Sequence, residues 1–192
     1  MRDWNTVLAE HQRVIAGLAD QGPVLDAIAA AIVACFRAGR RVYTLGNGGS
    51  AADAQHIAGE LLGRFKADRP AWPAVSLAGD VATLSAIAND YGYEQSFARP
   101  LAGLAQPGDV VLVLSTSGNS PNVLAAARVA RARGAVIVGF TGQSGGQLAP
   151  LCDLCFRAPH GSSDRIQECH ALAYHYICER VEGALTERRP AG

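Results

Sequence analysis

Asp109-Val110-Val111-Leu112-Val113-Leu114 runs straight into Ser115-Thr116-Ser117-Gly118-Asn119-Ser120-Pro121. A run this apolar and this rich in valine fits a strand covered on both faces, and such strands belong to parallel sheets. The helix after the polar run continues to about Arg133. Outward from this unit the alternation repeats. Arg41-Val42-Tyr43-Thr44-Leu45 is a strand that enters Gly46-Asn47-Gly48-Gly49-Ser50, with a helix from Ser50 to about Arg64. Ala74-Val75-Ser76-Leu77 is the next strand; Asp80 can cap a helix through Ile87, and another helix covers about Glu94 to Leu104. Ala135-Val136-Ile137-Val138-Gly139-Phe140 and Leu154-Cys155-Phe156-Arg157 complete the strands, and a helix from about Asp164 to Leu185 follows. Two helices precede every strand, Trp4 to Leu18 and, after the turn signal Gln21-Gly22-Pro23, Val24 to Arg37. Strands alternating with helices predict an α/β fold with a doubly wound parallel sheet and right-handed crossovers. We read residues 1–192 as one domain, with a helical extension over 1–38 and an α/β core over 39–187. Arg188-Arg189-Pro190 is expected to fray.

The composition narrows the function classes. The chain has 192 residues, 49% hydrophobic and 18% charged, which excludes a disordered chain. Its 17 Lys+Arg balance 17 Asp+Glu, whereas an electrostatic nucleic-acid binder carries a basic excess. No continuous apolar run approaches the roughly 18 residues of a membrane span, and acids interrupt the N-terminal stretch, so no signal peptide is expected. The five cysteines read as reduced thiols of a cytoplasmic protein. Cys152 and Cys155 form a C-x-x-C pair with no second pair at zinc-ribbon spacing, and are read as buried small residues.

Ligands in doubly wound sheets sit at the carboxyl ends of strands, and two loops there carry chemistry. Gly46 to Ser50 places glycines where backbone must come close to something, and Gly46, Gly48 and Ala51 fit G-x-G-x-x-A. No acid stands at the end of the next strand at the spacing a nicotinamide site needs, and no P-loop motif occurs. The other loop offers Ser115, Thr116, Ser117 and Ser120 just before a helix. Helix-start amides with Ser/Thr hydroxyls hold a phosphate without a lysine. A capping turn accounts for Ser120 and Pro121 but not for the three hydroxyls at the strand end.

His56 and Glu60 lie at i and i+4, on one helix face, where they can share a metal or act as an acid/base pair. Gly59 and Gly63 on the same helix each cost about 1 kcal/mol against alanine, which suggests close approach by another backbone or a ligand. The last helix carries Gln167, His170 and His175; spacing alone pairs Gln167 with His170.

GNGGSAADAQHIAGEL, AIANDYG, STSGNSPNV, TGQSGG and DRIQECHALAYH, in this order, resemble the phosphoheptose isomerase family of the SIS (sugar isomerase) superfamily, over about residues 5 to 185. The resemblance implies a five-stranded parallel sheet flanked by helices, a homotetramer with active sites between subunits, and one zinc ion per site. It implies aldose–ketose isomerisation of D-sedoheptulose 7-phosphate to D-glycero-D-manno-heptose 7-phosphate, the first step toward nucleotide-activated heptose for products such as lipopolysaccharide. Carried over by motif, Ser50, Ser115, Thr116, Ser117 and Ser120 would hold phosphate, and Asn47, Gly48, Asn89 and Asp90 would meet the sugar or backbone. His56, Glu60, Gln167 and His175 would be the zinc ligands; Glu60 and Gln167 would also touch substrate, and Glu60 and His175 would do acid/base work. Gly59 stands where the family commonly has an acid.

The residues suit that chemistry. Moving a proton between C1 and C2 through a cis-enediol needs a base near carbon, an acid near oxygen and stabilisation of a developing oxyanion. A carboxylate bound to metal is a weaker base, so the two duties of Glu60 are in tension. The alternative is a non-catalytic SIS protein that binds sugar phosphates or associates with a replication initiator; Glu60 and His175 favour the enzyme.

Overall fold

A computed structural model describes residues 1–186, so the reading of Arg188-Arg189-Pro190 and the last residue of the 39–187 core lie outside the described residues. The described residues form seven α-helices and a five-stranded, all-parallel sheet. In chain order the elements are α1 (Trp4–Ala16), α2 (Gly22–Arg37), β1 (Val42–Gly46), α3 (Gly49–Leu62), β2 (Ala74–Ser76), α4 (Val81–Tyr91), α5 (Ala98–Leu104), β3 (Val110–Leu114), α6 (Pro121–Ala132), β4 (Val136–Gly142), β5 (Leu154–Ala158) and α7 (Ser163–Thr186).

The sheet order is β2-β1-β3-β4-β5. β1 and β3 are both wholly buried: β3 is an unbroken apolar run, and β1 buries Thr44 by donating its hydroxyl to the Ala54 carbonyl at 2.6 Å. Alternate side chains feed two cores. Val110, Leu112 and Leu114 of β3 join α2, α3 and α7 on one face, while Val111 and Val113 join α5 and α6 on the other. α-Helices connect β1 to β2, β2 to β3 and β3 to β4, while β4 reaches β5 through a loop with only a 3₁₀ turn at Ala149–Leu151; helices cover both faces of the sheet.

By length and average composition alone, Trp4–Arg37 would suffice to cross a membrane, although it holds no continuous apolar run of that length. It is instead two helices interrupted around Gly17–Gln21, and α2 buries Ile28, Ala29, Ile32, Val33 and Cys35 against the sheet. Asp80 caps α4 through the Thr83 amide as expected, but α4 continues past Ile87 until Gly92, whose φ of 86° ends it. The helix expected from Glu94 to Leu104 is split: a 3₁₀ turn covers Tyr93–Gln95, and α5 begins only after the buried Ser96 and Phe97. Cys152 and Cys155 are free and half-buried rather than buried, both packed over Gly139, where a Cβ would meet their sulfurs at 2.5 and 3.3 Å.

Candidate active site

The chain leaves β1 for β2 on one side and returns to β3 on the other, so the strand order reverses between β1 and β3. A crevice at such a reversal, beyond the strands' carboxyl ends, is where doubly wound folds bind ligands. Gly46 of β1 is in register with Leu114 of β3, so the two loops singled out in the sequence start side by side there.

The serine loop is built by close backbone packing. Gly118, with φ 65°, lies so tightly on the Gly145-Gly146 turn that no side chain fits, and Leu148 N–H donates to the Gly118 carbonyl at 2.9 Å. The TGQSGG segment is therefore the floor of this loop. Ser120 occupies the N-cap position of α6 without making a side-chain cap bond; its hydroxyl lies 3.1 Å from that of Ser115. Thr116 Oγ1 lies 3.1 Å from Ser163 Oγ, and Ser117 Oγ accepts from the Asn119 amide. The hydroxyls thus cluster at a helix N-terminus instead of capping it, which is an anion-binding arrangement.

The glycine loop is shaped by its own neighbours. A Cβ at Gly46 would lie 2.7 Å from the Ser50 carbonyl oxygen, and one at Gly49 would fall on the Gln167 carboxamide. Gly48 has φ 55° and stands at the start of α3, and Ser50 is buried in its first turn. Asn47 is held by an amide pair: its Nδ2 donates to Asn122 Oδ1 at 2.8 Å, and Asn122 Nδ2 donates back to its Oδ1 at 2.9 Å. Tyr93 donates its hydroxyl to the same Asn47 oxygen at 2.8 Å. Local spacing does not single out Asn122 or Tyr93; an asparagine in the apolar first turns of α6, directly after the serine loop, is the available signal. Asn89 and Asp90 are exposed on α4, where Asn89 Nδ2 donates to Asp90 Oδ1.

α3 and α7 pack with the same direction, Gly49 beside Gln167 at one end and the loop after α3 against Glu182 at the other. His56, Glu60 and His175 meet along this seam, with one donor atom from each within 4.8 Å of the others. His56 Nε2 lies 2.9 Å from Glu60 Oε1 and 3.5 Å from His175 Nε2. Tyr174 OH lies 3.0 Å from His56 Nδ1, and a hydroxyl there serves either tautomer of the ring. Burial pushes the Tyr174 phenol up to about 12 and raises the Asp53 carboxyl, whose Oδ2 is buried without a partner. Burial and the neighbouring His56 hold His175 below the usual histidine range, against the pull of Glu60.

Two further features differ from the spacing argument. His170, one turn from Gln167, points into the core against Phe140 and Phe156; its Nε2–H donates to the Thr141 carbonyl at 3.2 Å. Burial lowers its pKa to about 4. Gln167 shares the α3–α7 seam but reaches it beside Gly49, seven residues before His56, roughly 10 Å along the helix. The close approach by another backbone or a ligand expected at Gly59 and Gly63 is found only at Gly63, and there from its own helix, a Cβ lying 2.9 Å from the Gly59 carbonyl oxygen. Gly63 ends α3, its N–H donating to Gly59 O at 2.8 Å, and nothing lies within 4 Å of a Cβ at Gly59, so this chain alone does not explain that glycine.

The end of the seam is locked. Buried Glu182 of α7 accepts from the amides of Phe65, Lys66 and Ala67 and from Arg69 Nε at 3.0 Å. Burial alone would raise its pKa, but these donors together hold it below the carboxylate range. Arg69 in turn donates to the Glu60 and Leu61 carbonyls at 2.7 and 3.0 Å, and Phe65 stacks on the His175 ring.

The donor set suits zinc. Ligand atoms about 2.0–2.1 Å from a tetrahedral ion lie roughly 3.3 Å apart, and the two imidazole Nε2 atoms are 3.5 Å apart with a carboxylate beside them.

A family model described as the SIS domain matches residues 8–142. A phosphoheptose isomerase of Burkholderia pseudomallei (strain 1710b) is 49% identical over 181 residues, covering 93% of this chain and 92% of that protein. One from Pelobacter propionicus is 49% identical over 166 residues, covering 86% and 88%. The solved structure of a phosphoheptose isomerase from Francisella tularensis superposes with a TM-score of 0.89 at 36% identity, covering 92% of this chain and 95% of that one. A likeness of this depth runs through both strand-end loops and both helices of the seam, and the chain belongs to the phosphoheptose isomerase family of SIS-domain enzymes.

Proposed function

We propose that the crevice between β1 and β3 isomerises D-sedoheptulose 7-phosphate to D-glycero-D-manno-heptose 7-phosphate, supplying heptose for nucleotide activation. The observation that carries this is the pairing of a phosphate-suited serine loop with a carboxylate–imidazole cluster on the adjoining helix. Ser115, Thr116, Ser117 and Ser120 hold the phosphate, with Ser50 and the Gly48 backbone beside them. Asn47, Asn89, Asp90 and Gln167 meet the sugar chain.

Glu60 carries the proton between C1 and C2. Its Oε1 is occupied by His56, and its Oε2 has no bond among the described residues, so one oxygen can be held while the other works as base. His175, whose pKa burial and His56 lower, serves the proton on the substrate oxygen. His56, Glu60 and His175 would hold the zinc ion, and Gln167 approaches from the far end of the seam. A zinc ion bound there would polarise the substrate carbonyl and stabilise the enediolate charge. Zinc sites that do chemistry keep three protein ligands and one open position, which suits the three donors that meet here.

The enzyme is read as a cytoplasmic homotetramer that engages neither nucleic acid nor membrane; its balanced charge speaks against nucleic acid, and the exposed apolar side chains of Trp4, Leu172 and Tyr176 support self-association. The test is a coupled assay on sedoheptulose 7-phosphate with bound metal measured alongside. Turnover that a chelator abolishes and added zinc restores is expected; full turnover by metal-free protein would overturn the metal assignment, and no turnover by zinc-loaded protein would overturn the substrate.

A further inference from the structure

Asn122 is 2% exposed, the second residue of α6, and every hydrogen-bonding atom of its side chain is engaged. Its Oδ1 accepts from Asn47 Nδ2 at 2.8 Å and from the Val123 amide at 3.0 Å. Its Nδ2 donates to Asn47 Oδ1 at 2.9 Å and to Ser96 Oγ at 3.1 Å. A buried amide so fully satisfied defines one rotamer and one partner geometry.

The partner matters more than the burial. Asn47 belongs to the glycine loop after β1, and Asn122 to the first turn of the helix that the serine loop begins. The reciprocal amide pair is thus a bolt across the crevice between the two loops. Tyr93 closes it from outside, placing its hydroxyl on the Asn47 oxygen although the residue is 51% exposed. Asn47 Oδ1 accepts two bonds and one Nδ2 proton is given to Asn122, which leaves the Asn47 side chain a single free N–H for substrate.

We propose that Asn122 and Tyr93 are positioning residues for the isomerisation: through Asn47 they fix the sugar-binding loop in register with the phosphate-binding loop. Most of the phosphate anchor is the serine loop, with Ser50 and the Gly48 backbone at its edge. Bringing C1 and C2 of the same molecule to Glu60 needs both loops at a set distance, and misplacement by about 1 Å can cost on the order of 100-fold. This rests on the assignment of the serine loop to phosphate.

The experiment compares Asn122→Ala and Tyr93→Phe with the unmodified enzyme, reading kcat, KM and inhibition by inorganic phosphate, a probe of the anchor alone. Asn122→Ala is expected to lower kcat by about 10- to 100-fold, with the phosphate inhibition constant within about 2-fold. Tyr93→Phe removes one exposed hydroxyl and should lower kcat several-fold with the same unchanged phosphate inhibition. Combined with Asn122→Ala it should add little, because both act on one oxygen. Unchanged kcat in both variants overturns the proposal. So does phosphate inhibition that weakens in step with kcat, since that is the mark of a residue that merely holds the serine loop folded. If Asn122→Ala does not fold, Tyr93→Phe decides, and wild-type kcat in it overturns the proposal. An unmodified enzyme that turns over substrate but is not inhibited by phosphate contradicts the serine-loop assignment instead.

Discussion

His170 and His175 stand on one helix and do different work. His170 is fully buried against two phenylalanine rings, while His175 reaches the seam and stacks on Phe65. His175→Ala should lower kcat by about 100- to 10,000-fold and release zinc, while His170→Leu should retain both within a few-fold. The reverse pattern would show that one-turn spacing from Gln167 was the better guide. Burial also gives His170 a signature in stability. Its folded pKa is about 4, below the ordinary 6.5, so the unfolded chain binds the extra proton between those values. That contribution is present above pH 6.5 and is lost as pH falls toward 4, by about 3 kcal/mol. Denaturation followed across this range should show a shallower pH slope for His170→Leu than for the unmodified chain.

At the scale of elements, the α3–α7 seam depends on the Glu182–Arg69 clamp, whose side chains are only 6% and 2% exposed. Removing one partner of such a pair strands the other, at a cost of about 3 kcal/mol. Glu182→Gln should therefore lower the melting temperature by several degrees; an unchanged Tm would show that the backbone amides alone suffice. The serine loop makes a different prediction. Hydrogen bonds to a charged group are worth about 1.5–3 kcal/mol each, so Ser117→Ala with Ser120→Ala should raise KM at least tenfold with the fold intact, and unchanged kinetics would remove phosphate from this loop. Much of this level was legible in the sequence. The strand runs at Val42 and Val110, the Asp80 cap and the His56–Glu60 pair are all local signals, and the structure contains each. What was not legible is long-range. Helical spacing did not give His175 rather than His170 as the partner of His56; the family resemblance did, and the pairing depends on α7 packing along α3, while Asn122 meets Asn47 only because β1 and β3 are neighbours. The break at Ser96 and Phe97 is likewise set by what they bury against, not by helix propensity.

The hydroxyl loop stands where the strand order reverses, and the carboxylate and imidazoles meet farther along the α3–α7 seam, whose first helix starts from the neighbouring glycine loop. Large apolar side chains remain uncovered on the helical surface, Trp4 at 72%, Leu62 at 51%, Leu172 at 49% and Tyr176 at 38% exposure. Scattered residues of this kind mark contact surface when they cluster, and Leu172 and Tyr176 lie one turn apart on α7. Sedimentation should give a particle of four times the 20.0 kDa chain; a stable, active monomer would contradict the tetramer. Everything in the proposed reaction turns on Glu60 moving the proton between C1 and C2 of a heptose phosphate. Isomerisation of sedoheptulose 7-phosphate, measured side by side for the zinc-loaded protein and Glu60→Gln, tests it most directly. Turnover by the unmodified enzyme with a loss of about 100- to 10,000-fold in the variant is the predicted result, and a Glu60→Gln protein that isomerises at the unmodified rate would contradict it.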